Sequence, residues 1–204
     1  MRIALYGGTG MIGSRIAVEA VTRDHRVTTI SRHPWATATL GIRTRLGDAS
    51  DGNDVARVSA EHDVVVSAIG PSRTGGRHLT FLHALASLAE NVGSRRLVVV
   101  GGSGSLLVAP GLRLLDSPAF PSAHREEAST HAAALELLKD TGGMADWVYV
   151  SPAPAISPGE RTGSYRVGRD QVIGDWISAE DFAVAIVDEI EVPRHRRARF
   201  CVAH

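Results

Sequence analysis

The sequence predicts an α/β fold, a doubly wound parallel sheet with helices on both faces and a small C-terminal region that covers the substrate side. Three observations carry this. Short β-branched or apolar runs alternate with longer stretches of helical periodicity along the chain. Several of those runs end in glycine, at Gly7, Gly70 and Gly101, and ligands of such sheets bind beyond the carboxyl ends of the strands. The 204 residues suffice for one domain with a substantial core but not for a separate catalytic domain, so 1–204 is read as a single domain in which 155–204 supply the cover.

The first strand is Arg2 to Tyr6, where Ile3, Ala4 and Leu5 form a buried-type apolar run. It passes into Gly7-Gly-Thr-Gly-Met-Ile-Gly13 and a helix whose packing face is read as Ile12, Ile16, Val18, Ala20 and Val21. Gly7, Gly10 and Gly13 have the spacing G-x-x-G-x-x-G. In this strand-turn-helix setting it signals a dinucleotide site: one glycine for the tight turn, one for close approach to a pyrophosphate, one for helix against strand. Unpaired N–H groups at the helix start favour the phosphate charge.

Arg26 to Ser31 is the second strand, closed by His33-Pro34. At the position about 20 residues beyond the glycines, NAD sites offer Asp or Glu to the ribose 2′-hydroxyl and NADP sites offer arginine to the 2′-phosphate. Here Ser31-Arg32 stands and no acid. Bidentate guanidinium bonding favours NADP(H), with NAD(H) still possible; the competing reading of Arg32 is a solvated strand end.

Ile42 to Leu46 is a third strand leading to Gly47-Asp48-Ala49, with a helix over 51–59. Asp63 to Ser67 is the fourth, running into Ala68-Ile69-Gly70-Pro71. A helix follows from Leu79 to Asn91, then a fifth strand from Arg96 to Val100 that ends in Gly101-Gly102-Ser103-Gly104-Ser105. The next helix spans Ala123 to Lys139, stopped by Gly142-Gly143, and Trp147 to Val150 is the sixth strand, continued by Ser151-Pro152-Ala153-Pro154. Residues 155–174 read as a covering loop. Ser178-Ala-Glu-Asp181 is a helix start with Ser178 as N-cap, and Phe182, Ala185, Ile186 and Ile190 share one face. Arg199 to Val202 closes the sheet.

Charge excludes some partners. With 22 basic and 22 acidic residues the net charge is zero, which gives no electrostatic reason to expect nucleic acid or an anionic membrane. The single cysteine, Cys201, excludes a disulfide framework and a thiolate metal site. The chain enters its first strand at once and has no apolar run near the roughly 20 residues of a bilayer span, so a cytoplasmic protein is expected. His124 and His131, with Glu127 between them, fall on one face of the helix read over Ala123 to Lys139. Solvated helix surface is preferred to a metal site, and His131 also reads as a proton donor at the substrate mouth.

Together, Gly7 to Gly13, Gly47-Asp48, Ser67 to Gly70, Val99 to Ser105, Ser151 to Ala153 and Ser178 to Val187 resemble the atypical short-chain dehydrogenase/reductase superfamily. The resemblance is strongest to its branch of NAD(P)H-flavin reductases, related to biliverdin reductase B and the NmrA-like proteins. It implies a Rossmann-type fold in which Gly7, Thr9, Gly10, Met11 and Ile12 line the pyrophosphate and Arg32 meets the 2′-phosphate. It further implies that Asp48 and Ala49 border the adenine and Ala68, Ile69 and Gly70 the ribose. Gly102, Ser103, Pro152 and Ala153 would lie beside the nicotinamide, with Ser103 as the polar contact near the reacting rings.

One departure matters. Most of the superfamily protonates an alkoxide with a Tyr-x-x-x-Lys dyad, yet Lys139 is the only lysine here and Leu135 stands four residues before it. Tyr165 and Arg169 share the spacing but lie in the loop-rich region, and arginine does not relay protons as lysine does. The expectation is an NADPH-dependent oxidoreductase that passes hydride to a flavin, quinone or similar conjugated acceptor, for which ring stacking at about 3–3.5 Å supplies much of the catalysis. The alternative is a non-catalytic NADP(H)-binding redox sensor of the NmrA-like type.

Overall fold

A computed structural model describes residues 1–33, 41–72, 75–140 and 145–204. In chain order the elements are β1 (Arg2–Tyr6), α1 (Met11–Thr22), β2 (Arg26–Ser31), β3 (Ile42–Leu46), α2 (Gly52–Glu61), β4 (Val64–Ser67), α3 (Leu79–Asn91) and β5 (Arg96–Val100). There follow a small hairpin of β6 (Leu107–Ala109) and β7 (Leu112–Arg113), then α4 (Arg125–Asp140), β8 (Asp146–Pro152), β9 (Ala155–Ser157), β10 (Arg166–Gly168), β11 (Trp176–Ser178), α5 (Ala179–Glu191) and β12 (Ala198–Ala203). The main sheet has the order β3-β2-β1-β4-β5-β8-β12-β10. All its pairings are parallel except that of β10 with β12. This is the expected doubly wound α/β class.

Alternation along the strands explains the layers. In β1 the side chains of Ile3 and Leu5 point to one face and join α1 and α5, while Ala4 and Tyr6 point to the other and join α2, α3 and α4. Strand order reverses between β1 and β4, and there the first βα turn and the ends of β4 and β5 leave a crevice.

The structure corrects several details. Val18 does not belong to the packing face of α1: it is 49% exposed, because two residues on from Ile16 place it about 200° round the helix. Gly13, Ile16, Ala17 and Ala20 face inward instead, with Glu19. Asp63 lies outside β4 and accepts hydrogen bonds from the backbone and guanidinium of Arg2, both at 2.8 Å. Asp51 is the N-cap of α2, accepting from the N–H groups of Asn53 and Asp54. His124 sits in a 3-10 turn before α4 rather than on it. Pro34 and the Gly142-Gly143 stop lie outside the described residues.

Region 155–174 is more ordered in pattern than a loop. β9 pairs with β11 and β10 adds an antiparallel edge to the main sheet. At the opposite pole, Arg96 is 7% exposed and bonds Glu189 at 2.5 Å and Asp146 at 3.0 Å. Glu189, also buried, accepts in addition from the N–H groups of Arg194 and His195. This cluster lies at the amino end of β5, remote from the crevice.

Candidate active site

The glycines of the first turn have different physical reasons. Gly7 has φ +80°, and a Cβ there would stand 2.5 Å from the carbonyl oxygen of Ala68. At Gly13 a Cβ would stand 2.1 Å from the Gly7 carbonyl oxygen, so only glycine lets α1 lie against the turn. Gly10 differs from both. It is the N-cap of α1 in extended conformation, with no side-chain cap and no acid in the first turn, and a Cβ on it would meet only the Gly7 oxygen, at 3.4 Å. Protein packing does not demand glycine there.

From this point a cavity of about 1410 Å³ runs across the strand ends. Its lining includes Gly10, Met11 and Ile12 from the start of α1, and Ala68, Gly70, Gly102, Ser103, Pro152 and Ala153 from the strand ends. Phe120, His131 and Ile156 bound a further chamber of the same cavity. A second cavity, about 350 Å³, lies past the ends of β2 and β3 and is lined by Arg32, Gly47, Asp48 and Arg57. Its carboxylates are held in place: Asp48 accepts from Ser50, and Asp54 pairs with Arg45 at 2.9 Å. Burial pushes the Asp48 carboxyl up, but the bonds from Ser50 and the charge of Arg32 outweigh it and leave the group below its ordinary range.

Two of the three tyrosine hydroxyls are hydrogen-bonded and the third is buried. Tyr149 is fully buried; its hydroxyl donates to the His131 carbonyl at 2.9 Å and accepts from the Gly102 N–H at 3.1 Å, and burial raises its pKa. Tyr6 is buried in β1, and Tyr165 donates to Asp188 of α5. Lys139 pairs with Glu136 at the exposed end of α4. A Tyr-Lys acid is therefore absent from the crevice. Among the described residues no group of His, Cys, Asp and Glu could hold a metal ion, and no described helix is long and apolar enough to cross a membrane.

Residues 7–193 match the family model described as NAD(P)H-binding. The chain belongs to this NAD(P)H-binding family. It is 38% identical to the uncharacterised Bacillus subtilis protein YwnB, over 99% of this chain and 98% of that one. Among solved structures, a Burkholderia pseudomallei protein provisionally named as exported superposes with a TM-score of 0.89 at 40% identity, with both chains fully covered. A Streptococcus pneumoniae protein provisionally named an NADH-flavin reductase gives 0.87 at 29% identity, over 100% of this chain and 99% of that one. The NAD(P)H-binding chain is thus similar to an oxidoreductase-like group along its whole described length.

Of the residues predicted to surround a cofactor, Gly10, Met11, Ile12, Ala68, Gly70, Gly102, Ser103, Pro152 and Ala153 do line the large cavity, and Arg32 and Asp48 the small one. Gly7 shapes the turn from behind. Thr9 is exposed beside it, Ile69 packs towards the helical core, and Ala49 is 4% exposed, so its side chain is part of that core. Sequence reasoning passed over Phe120 and His78, which line the chamber. Phe120 follows the small hairpin in a stretch without periodicity, so no pattern announced it.

The acids of Ser178-Ala-Glu-Asp181 do more than start a helix. Ser178 caps α5 as expected, its hydroxyl accepting from the Asp181 N–H at 3.0 Å. Glu180 accepts from Arg15 of α1 at 2.5 Å and from the Gly159 N–H at 2.7 Å. Asp181, fully buried, accepts from the N–H groups of Thr162 and Gly163. Those bonds more than offset burial and hold both carboxyls below their ordinary range. The two acids thereby fasten the segment 159–163 to α5, and Glu180 fastens α5 to α1, the helix capped by Gly10.

Proposed function

We propose that the protein is an NADPH-dependent oxidoreductase that passes hydride to a flavin, quinone or similar conjugated acceptor in the cytoplasm. The observation that carries this reading is that one large cavity is lined both by the start of α1 and by Phe120, His131 and Ile156. At about 1410 Å³ it exceeds the roughly 300–1,000 Å³ of a single-ligand pocket. A second molecule therefore has room beside the cofactor.

The residues present fit a dinucleotide. The uncapped start of α1, with Gly10 open to the cleft, would hold the pyrophosphate. Arg32 in the small cavity would pair with the 2′-phosphate, which supports NADPH over NADH. Gly102, Ser103, Pro152 and Ala153 would flank the nicotinamide, Ser103 offering its hydroxyl near the reacting rings. When bound, the cofactor supplies the hydride. The chain's own part is to align a flat acceptor and shield the pair from water, with apolar walls at Phe120 and Ile156.

The test is NADPH oxidation by the purified protein with a panel of flavins, quinones and dyes, after NADPH binding has been measured. Turnover dependent on one acceptor class is expected. Binding without turnover on any acceptor would overturn the reductase reading in favour of a redox sensor.

A further inference from the structure

We infer that His131 is the proton donor of this site and that the acceptor carries a conjugated carbonyl, as a quinone does. This rests on the reductase reading above. His131 lies on α4 where that helix faces the ends of β4 and β5, and it lines the chamber beside Gly70 and Gly102. A Cβ on Gly102 would stand 2.9 Å from both Cβ and Cγ of His131. Glycine at this position is what lets the turn after β5 close against the imidazole. On the other side, the point where a side chain of Gly70 would begin lies 3.8 Å from Nε2. The ring is thus set between two glycine backbones predicted to border the ribose and the nicotinamide.

Its orientation is fixed from behind. Phe81 of α3 meets the ring edge-on, with centroids 5.4 Å apart and planes at 60°. Tyr149 bonds the His131 carbonyl and the Gly102 N–H with one hydroxyl, tying α4, the turn after β5 and β8 together around it. Nδ1 is shut off from solvent, and Nε2 is the nitrogen turned to Gly70 and the cleft. A rigidly held imidazole at the reacting end of a cofactor site has the geometry of a general acid, in a chain whose Tyr149 and Tyr165 hydroxyls and Lys139 are already bonded and whose Tyr6 is buried in β1.

The other ionisable groups facing the chamber are Glu127 on α4, His78 at the start of α3, and His124 and Glu126 nearer the mouth, with Tyr149 behind the ring. His78 is spanned by Thr130 at 2.8 Å and the Ser72 carbonyl at 3.1 Å. Glu126 is 87% exposed. The balance of the step is complete without a further reagent: the quinone gains two electrons and one hydrogen as hydride from NADPH and one proton from Nε2. Hydroquinone and NADP⁺ leave, and the imidazole regains its proton from water.

The experiment compares wild type, His131→Gln and His131→Asn for quinone reduction from pH 5.5 to 9, with NADPH affinity measured by fluorescence. Wild-type kcat should fall as pH rises and the imidazolium is lost. His131→Gln should lose about 100-fold or more in kcat, lose that limb of the profile, and bind NADPH within about twofold of wild type. A variant within about threefold of wild-type kcat with the same pH profile would overturn the assignment. So would a wild-type profile with no fall at high pH, which decides the matter even if neither variant folds. Absence of wild-type turnover sinks the reductase reading itself, whereas turnover that is indifferent to His131 sinks only this inference.

Discussion

Replacing Gly10 by alanine separates what the fold needs from what the ligand needs. The backbone at Gly10 has φ −76° and ψ 168°, which alanine adopts without strain. An added methyl would meet only the Gly7 oxygen at 3.4 Å, a contact relieved by a shift of a few tenths of an ångström. The remaining penalty is that alanine is a poorer N-cap than glycine, about 0.5–1 kcal/mol. For a chain of this length that corresponds to a fall in Tm of roughly 1–4 °C. The same methyl would stand where a pyrophosphate approaches the helix start, and loss of close backbone approach there should weaken NADPH binding by at least about tenfold, or 1.4 kcal/mol. Gly13→Ala is the control of opposite kind. Its methyl would fall 2.1 Å from one backbone oxygen and 2.8 Å from a backbone carbon, so overpacking should cost about 3 kcal/mol or more and lower Tm by roughly 6–12 °C. Thermal unfolding and NADPH titration by fluorescence measure both. If Gly10→Ala binds NADPH as wild type does, the start of α1 is not the pyrophosphate site.

Arg32→Ala should remove a charge-assisted pair of about 1.5–3 kcal/mol, lowering NADPH affinity roughly 10- to 150-fold and leaving NADH within about twofold; an equal loss for both refutes the phosphate role. Glu189→Ala, far from the crevice, leaves a buried arginine with one fewer acid and should destabilise by about 3 kcal/mol without altering NADPH affinity. Differential scanning calorimetry and the same titration check it. For pH, the depressed carboxyls of Asp181, Glu180 and Glu19 and that of Asp63, lowered to about 2 by its bonds to Arg2, all bind protons more readily in the unfolded chain. Their stabilisation is present above the ordinary carboxyl range of about 4 and is lost as pH falls through the lower folded values. Tm should therefore be level above about pH 5 and drop below about pH 4. Asp181→Asn should flatten that drop, and an unchanged slope would show that the bonds from Thr162 and Gly163 contribute little.

The sequence by itself determined the class of fold and most of the first turn. Strand runs such as Ile3-Ala4-Leu5 and the glycines at 7, 10 and 13 are local signals: burial on both sheet faces demands continuous apolar residues, and a tight turn against a helix start demands missing side chains. Local patterns also announced Ser178 as a cap, because a hydroxyl three residues before an unpaired N–H is a matter of a few bonds. Tertiary structure alone decided what lies across the crevice. Phe120 sits in a stretch with no periodicity, and Glu180 and Asp181 reach residues 18 to 165 positions away in sequence. Val18 was misread because helical spacing shows an apolar residue but not which arc of the helix the sheet covers. His124 and His131 look alike at helical spacing, yet one ends in an exposed turn and the other beside Gly70 and Gly102. That difference depends on where α4 docks against the sheet, a long-range packing outcome that no window of residues encodes.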